Sequence, residues 1–185
     1  MLKKIVIIGP ESTGKSTLCE FLAQHYKSDW VPEYAREYLM THGKSYSFDT
    51  LLSIARGQIR LEEEHAAALT IEAAGRSSAL NSQLLFIDTD MYVMKVWCEF
   101  VFNKCHQWII DQIASREYDM YLLCNTDLPW TQDELREYPD HATREKLFRL
   151  YKDILVNQNT PWKEIRGSAD QRFQTALSAV DSLAL

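Results

Sequence analysis

The chain has 185 residues, 46 % hydrophobic and 25 % charged, with a formal net charge of −6. That length suits one domain spanning residues 1–185, and the balance excludes a disordered or fibrous protein. The acidic excess argues against general nucleic-acid or anionic-membrane binding, and no apolar run approaches the roughly 20 residues of a membrane span.

From the N-terminus, "IVII" reads as a strand over residues 4–8, buried on both faces and too short for the apolar core of a signal peptide. A glycine-rich loop follows, then a helix over 15–26, a strand over 29–33 and a helix over 33–41. A long helix over 48–74 precedes "LLFIDTD", a strand over 84–88 that runs into a helix over 91–102. Next come a helix over 107–116, a strand over 120–125, a polar insert over about 126–143 and a helix over 144–157. A strand over 162–166 and a helix over 169–183 close the chain. Thr131 with Glu134 and Ser168 with Gln171 fit capping boxes, so a short helix is expected in the insert. This alternation predicts a three-layer α/β domain: a five-stranded parallel sheet, helices on both faces and a small helical lid insert.

The loop Gly9-Pro-Glu-Ser-Thr-Gly14-Lys15-Ser16 satisfies G-x-x-x-x-G-K-S/T in full, between a buried strand and a helix. Its glycines let successive amides curl toward phosphate oxygens, and the following helix offers its positive end. Glu11, Ser12, Thr13 and Thr17 belong to the same nucleotide-binding turn. Lys15 is expected at the β- and γ-phosphates and Ser16 at Mg²⁺.

Ligands of open α/β sheets bind beyond the carboxyl ends of the strands. Asp88 and Asp90 end one strand, so Asp88 is expected opposite Ser16 as a magnesium group, and Asp90 at the acceptor's hydroxyls or as a second candidate for the catalytic base. The plainer alternative is that this stretch only caps the next helix. "VPEYAREY" ends another strand and offers Glu33 as general base, with Tyr34 and Arg36 as acceptor contacts. Arg36 and Glu37 equally suit a solvated helix pair. The insert carries Arg136 and Arg144, suited to a lid that neutralises a transferring phosphoryl group, or to an ordinary surface turn. Trp130 is a candidate acceptor contact or a packing anchor, and Arg60 a candidate contact if its helix face turns to the rim. The four cysteines and five histidines show no metal-ligand or disulfide spacing, which suits reduced thiols in the cytoplasm.

Together "GPESTGKSTL", "EYAREYL", "GQIRLEEEHA", "FIDTD", "NTDLPWTQDELR" and "PWKEIRGSADQRF" resemble the ribosylnicotinamide kinase domain of NadR-type NAD-salvage proteins. The resemblance implies a nucleoside-kinase-like P-loop fold and ATP-dependent phosphorylation of the ribose 5′-hydroxyl of nicotinamide riboside. It marks Lys15, Ser16, Asp88 and Asp90, then Glu33 and Arg36 at the acceptor rim, then Arg136 and Arg144 in the lid. The family carries an aromatic residue just before E-Y-x-R-E and another in the long helix; here Pro32 and Glu64 stand there, with Trp30 and Tyr92 as nearby replacements. Fused members add an adenylyltransferase domain, and with no H-x-G-H-like motif the expectation is a kinase without that activity. The rivals are a P-loop ATPase or nucleotide-dependent regulator, a kinase of another nucleoside-like acceptor, and a binding module without chemistry. An N-K-x-D guanine motif is missing, so ATP is the expected donor.

Overall fold

The computed structural model describes residues 2–75 and 83–183. Five strands, β1 (Leu2–Ile8), β2 (Asp29–Val31), β3 (Gln83–Asp88), β4 (Met120–Cys124) and β5 (Trp162–Ile165), pair in parallel in the order β2-β3-β1-β4-β5. Around them lie α1 (Lys15–Tyr26), α2 (Tyr34–His42), α3 (Phe48–Gly75), α4 (Met91–Phe102), α5 (Gln107–Ser115), α6 (His141–Val156) and α7 (Ala169–Asp181).

Strand side chains alternate between the two faces, so each strand feeds two cores. Ile5, Ile7, Leu84 and Phe86 meet Leu22 of α1 and Val180 of α7. Val6, Ile8, Leu85 and Ile87 meet Val96 of α4 and Leu155 of α6. Ile5 through Ile8 are all fully buried, each contributing about 1.5–3 kcal/mol through removal of apolar surface from water. A third cluster, including Leu39, Leu51, Met94 and Ile109, binds α2, α3, α4 and α5 together beside the sheet. Gly57 lets α2 approach α3, because a Cβ there would collide with the ring of Tyr34.

Strand order reverses at β1, whose neighbours are β3 and β4, so a crevice opens beyond its carboxyl end. The register sets Ile7 beside Asp88 and Ile8 beside Leu123, bringing three strand ends to one rim. Among the described residues, no helix is long and apolar enough to cross a membrane.

Boundaries shift where side chains claim the backbone. β2 stops at Val31, and Glu33 becomes the residue that starts α2. The Ser168–Gln171 capping box forms as expected. The expected lid helix does not: residues 131–138 contain a turn and no helix, and Thr131 caps nothing. Their amides are taken by outside partners: Thr131 N donates to Ser12 Oγ (3.0 Å), and Glu137 N and Tyr138 N donate to Glu11 Oε2 (2.9 and 3.2 Å). Amides satisfied that way do not build an i→i−4 ladder, and Pro129 and Pro139 flank the stretch. α6 begins at His141, three residues ahead of the expected start at 144, capped by Asp140, which accepts from Thr143 N at 2.7 Å.

Candidate active site

The turn between β1 and α1 curls through three residues of positive φ: Gly9 (145°), Ser12 (56°) and Gly14 (76°). At Gly9 a Cβ would stand 2.6 Å from the carbonyl oxygen of Cys124, so only glycine fits there. Thr13 Oγ1 donates to Pro10 O (2.7 Å) and Lys15 Nζ to the same oxygen (3.2 Å), tightening the loop on itself. Gly14 starts α1 with no capping side chain, and the first turn of α1 has no acidic residue. Its free amides and positive dipole end are thus left facing the cleft for an anion.

Behind the loop, Arg172 of α7 is buried at 5 % exposure and donates to Thr13 O (3.1 Å) and Asn125 O (2.9 Å) while pairing with Asp127. It braces the turn from α7, which packs beside α1 on the same face of the sheet. Nothing local in "SADQRF" announces this task, because its partners lie more than forty residues away in sequence.

Ser16 Oγ donates to Asp88 Oδ2 at 2.5 Å. The other carboxylate oxygen, Asp88 Oδ1, is buried without a hydrogen-bond partner among the described residues. Burial raises the Asp88 carboxyl to about 6; Lys15 and the Ser16 hydroxyl oppose this, and the charge of Glu33 adds to it. A hydroxyl beside an unsatisfied carboxylate oxygen is a hard-oxygen pair that fits Mg²⁺. Gln58, 1 % exposed, ties the neighbourhood together: its Oε1 accepts from Tyr34 N (2.7 Å), and its Nε2 donates to Pro32 O (3.3 Å) and Asp88 O (3.4 Å). Thr89, just beyond Asp88, holds a left-handed backbone (φ 78°) despite its branched side chain.

A cleft of about 470 Å³ continues from the loop, within the range of small-molecule sites, about 300–1,000 Å³. Residues 9–17 form its donor end. Its far wall is aromatic and apolar, with Trp30, Pro32, Trp97, Phe100 and Tyr151. Glu33 faces the same space, and its side chain makes no capping bond to α2. Leu135, Arg136 and Tyr138 of the insert roof it. Arg136 Nη1 reaches Thr131 O (2.5 Å) and Ser12 Oγ (3.5 Å).

Several expected contacts lie elsewhere. Asp90 does not line this cleft; it is 2 % exposed and caps α4, accepting from Tyr92 N (3.0 Å), Val93 N (3.3 Å) and the hydroxyl of Tyr121 (2.9 Å). Burial raises its carboxyl to about 7, against those three donors. The capping alternative therefore describes Asp90, which with Tyr92 borders a separate cavity of only about 40 Å³. Arg60 is 68 % exposed and pairs with Glu64 at 3.7 Å on the outer face of α3. Tyr34 packs on Gly57 rather than into the cleft. Trp130 has two guanidiniums over its ring, Arg136 at 5.9 Å and Arg144 at 5.4 Å from its centre, so packing is its observed part. Arg144 is 3 % exposed with Nε and Nη1 unpartnered among the described residues, which leaves it suited to an anion. Arg36 lines the cleft, but its guanidinium is engaged by Asp133. The side chains of Glu11 and Ser12 serve the insert, and only their loop position faces the nucleotide end.

Trp97, Phe100, Tyr138 and Tyr151 went unnoticed in the sequence. The available signal was a stripe on α4, Val93, Trp97 and Phe100, at helical spacing directly after the acidic strand end. Such a stripe reads first as core, and part of it is.

A family model described as an AAA domain matches residues 4–172. The trifunctional NAD biosynthesis/regulator protein NadR of Salmonella typhimurium is 24 % identical over 187 residues, covering 98 % of this chain and 43 % of that protein. The chain thus spans less than half the length of this curated relative. A crystal structure of NadR in complex with NR superposes with a TM-score of 0.71 at 22 % identity, covering 98 % of this chain and 50 % of that one. A second, of NadR with NAD and AMP-PNP, gives 0.68 at 21 % identity, covering 98 % and 49 %. The likeness that the motifs suggested therefore runs along nearly the whole chain, and the three-layer P-loop architecture is common to all three. With its family model spanning the P-loop, the acidic strand end and the bracing arginine, this chain belongs to the AAA domain family.

Proposed function

We propose that the chain is a nucleoside kinase that moves the γ-phosphoryl group of ATP to the ribose 5′-hydroxyl of nicotinamide riboside, giving the mononucleotide. The observation that carries the reading is the continuity of the cleft, from an anion cradle at Lys15 to a ring-sized aromatic pocket past the Glu33 carboxylate. A pure ATPase has no use for that second half. Relatives crystallised with NR and with AMP-PNP support the same donor and acceptor.

Ser16 and Asp88 would hold Mg²⁺, which when bound neutralises charge on the donor's phosphate oxygens. Lys15 and the loop amides hold those phosphates in place. Glu33 accepts the proton as the acceptor oxygen bonds to phosphorus and the bond to the leaving ADP oxygen breaks. Arg136 roofs the transferring group and offsets its charge, while the insert keeps water out. Trp30, Trp97 and Phe100 offer faces for a flat heteroaromatic ring, taking the part that Pro32 and the outward-facing Glu64 cannot.

The test is product mass after incubation with Mg-ATP and a panel of nucleosides including nicotinamide riboside. Mononucleotide formation is expected. Turnover of a different nucleoside would remove the named acceptor and keep the kinase, whereas ATP hydrolysis indifferent to every acceptor would overturn both.

A further inference from the structure

Residues 131–138 have almost no regular structure of their own, yet they roof the cleft. What shapes them is a set of polar contacts from two sides. On the donor side, Ser12 and Glu11 accept the amides of Thr131, Glu137 and Tyr138. On the acceptor side, α2 and the segment after it supply three more contacts: Arg36 to Asp133, Lys44 Nζ to Glu134 (2.8 Å) and Tyr46 Oη to Glu137 (2.8 Å).

The Arg36 contact differs from the other two. Its guanidinium forks onto both carboxylate oxygens, Nη1 to Oδ1 at 3.3 Å and Nη2 to Oδ2 at 2.8 Å. Asp133 Oδ1 also accepts from Leu135 N (3.0 Å), and Asp133 O accepts from Arg136 N (3.3 Å). One carboxylate thus fixes the turn from which Arg136 departs, and Arg136 then reaches Ser12 Oγ in the P-loop. Arg36 stands one residue after Ala35 and three after Glu33, both on the acceptor wall.

We infer that Arg36 is a positioning residue for Arg136: through Asp133 it sets the insert so that the roof arginine points at the donor phosphates. A planar fork is needed for this, so lysine, a point charge, does not replace it. The wall that receives the acceptor and the roof over the donor are in this way one mechanical unit. The sequence offered Arg36 as a direct acceptor contact; in the structure both of its terminal nitrogens engage Asp133.

The kinetic arm of the test rests on the kinase reading; the structural arm does not. Residue-resolved amide exchange on the intact chain compares the wild type with Arg36→Ala, Arg36→Lys and Asp133→Asn. The amides of Thr131, Glu137 and Tyr138 are expected to exchange roughly tenfold faster in all three variants, although Arg36 touches none of them. The Arg36→Ala/Asp133→Asn double variant is expected to be no worse than either single change, as for two ends of one contact. With the acceptor that the wild type turns over, kcat is expected to fall roughly tenfold or more while the acceptor KM stays within about threefold. Unchanged exchange at those three amides overturns the inference, and so does a loss confined to acceptor KM, which would make Arg36 a direct contact. A wild type that phosphorylates no nucleoside removes the kinase reading, and the exchange data still decide the role of Arg36.

Discussion

On one side of the cleft, the loop between β1 and α1 takes its shape mainly from its own residues, two glycines, a left-handed serine and the start of a helix, with Arg172 of α7 bracing it from outside. On the other side, residues 131–138 have no such internal rule and take their shape from side chains of the P-loop and α2. The first region is shaped and chemically equipped by the same few residues. In the second, shape and chemistry belong to different parts of the chain. Changes in the loop should therefore damage fold and reaction together unless only a side-chain tip is removed. Changes at the tethers of the insert should damage the reaction and spare the fold.

Lys15→Ala is the sharpest probe of the first region, because it removes the charge and, within the turn, only the 3.2 Å bond to Pro10 O. Phosphoryl transfer is expected to fall roughly 10²–10³-fold or more with the melting temperature nearly unchanged. A matching loss of thermal stability would show that Lys15 shapes the loop as well. Gly9→Ala addresses the backbone itself. With φ at 145° and its Cβ driven against the Cys124 carbonyl, it is expected to cost about 2–4 kcal/mol of stability in urea unfolding. Wild-type stability in that variant would break the contrast.

Asp90 separates capping from chemistry at the strand end. Asp90→Ala is expected to destabilise by about 2 kcal/mol through loss of the α4 cap and the Tyr121 partner. Asp90→Asn retains an acceptor for Tyr92 and Val93 and is expected to stay within about 1 kcal/mol of wild type. A normal fold combined with lost turnover in Asp90→Asn would return Asp90 to the catalytic set.

The smallest effect concerns pH. The Arg36 hydrogen bonds, then the Leu135 amide, hold the Asp133 carboxyl down at about 2, and Asp133 holds Arg36 above its usual range. Arg136 adds to the hold on Asp133, as Glu33 and Glu134 do for Arg36. A depressed acid contributes fully above its unfolded value, about 3.9, and loses that contribution as pH falls through 2. The Leu135 amide, which donates to Asp133 Oδ1, is therefore expected to hold its chemical shift from pH 8 down to about 4 and to move only below it, whereas the Glu137 and Tyr138 amides follow Glu11, whose carboxyl is raised by burial. An exposed pair of this kind gives little global stability, so a drift of the Leu135 amide near neutral pH would assign the tether to another group.

The contrast also explains what could be read from the chain. The loop at 9–16 and the acidic end of β3 were legible because their chemistry follows from local order: apolar strand, special backbone, helix. Burial decides the rest. Asp88 and Asp90 look alike in "FIDTD", but Asp88 Oδ1 lacks a partner among the described residues while Asp90 accepts from two amides and a tyrosine. Arg60 depended on which way a long helix faces, and α3 turns it outward. The insert looked helical because Thr131 and Glu134 fit a capping pattern, and distant side chains claimed its amides instead. The aromatic wall was hidden by its resemblance to ordinary core spacing.

Between Asp88 and Asp90, Thr89 keeps a branched side chain on a left-handed backbone, a conformation that costs on the order of 1–3 kcal/mol. Glycine would relax that turn at once, so heat resistance alone gives no reason to keep threonine there. Variants at position 89 sorted for survival of heating and variants sorted for turnover would therefore come to rest on different residues. The distance between the two outcomes would measure how much durability this protein forgoes to hold its two neighbouring aspartates apart in purpose.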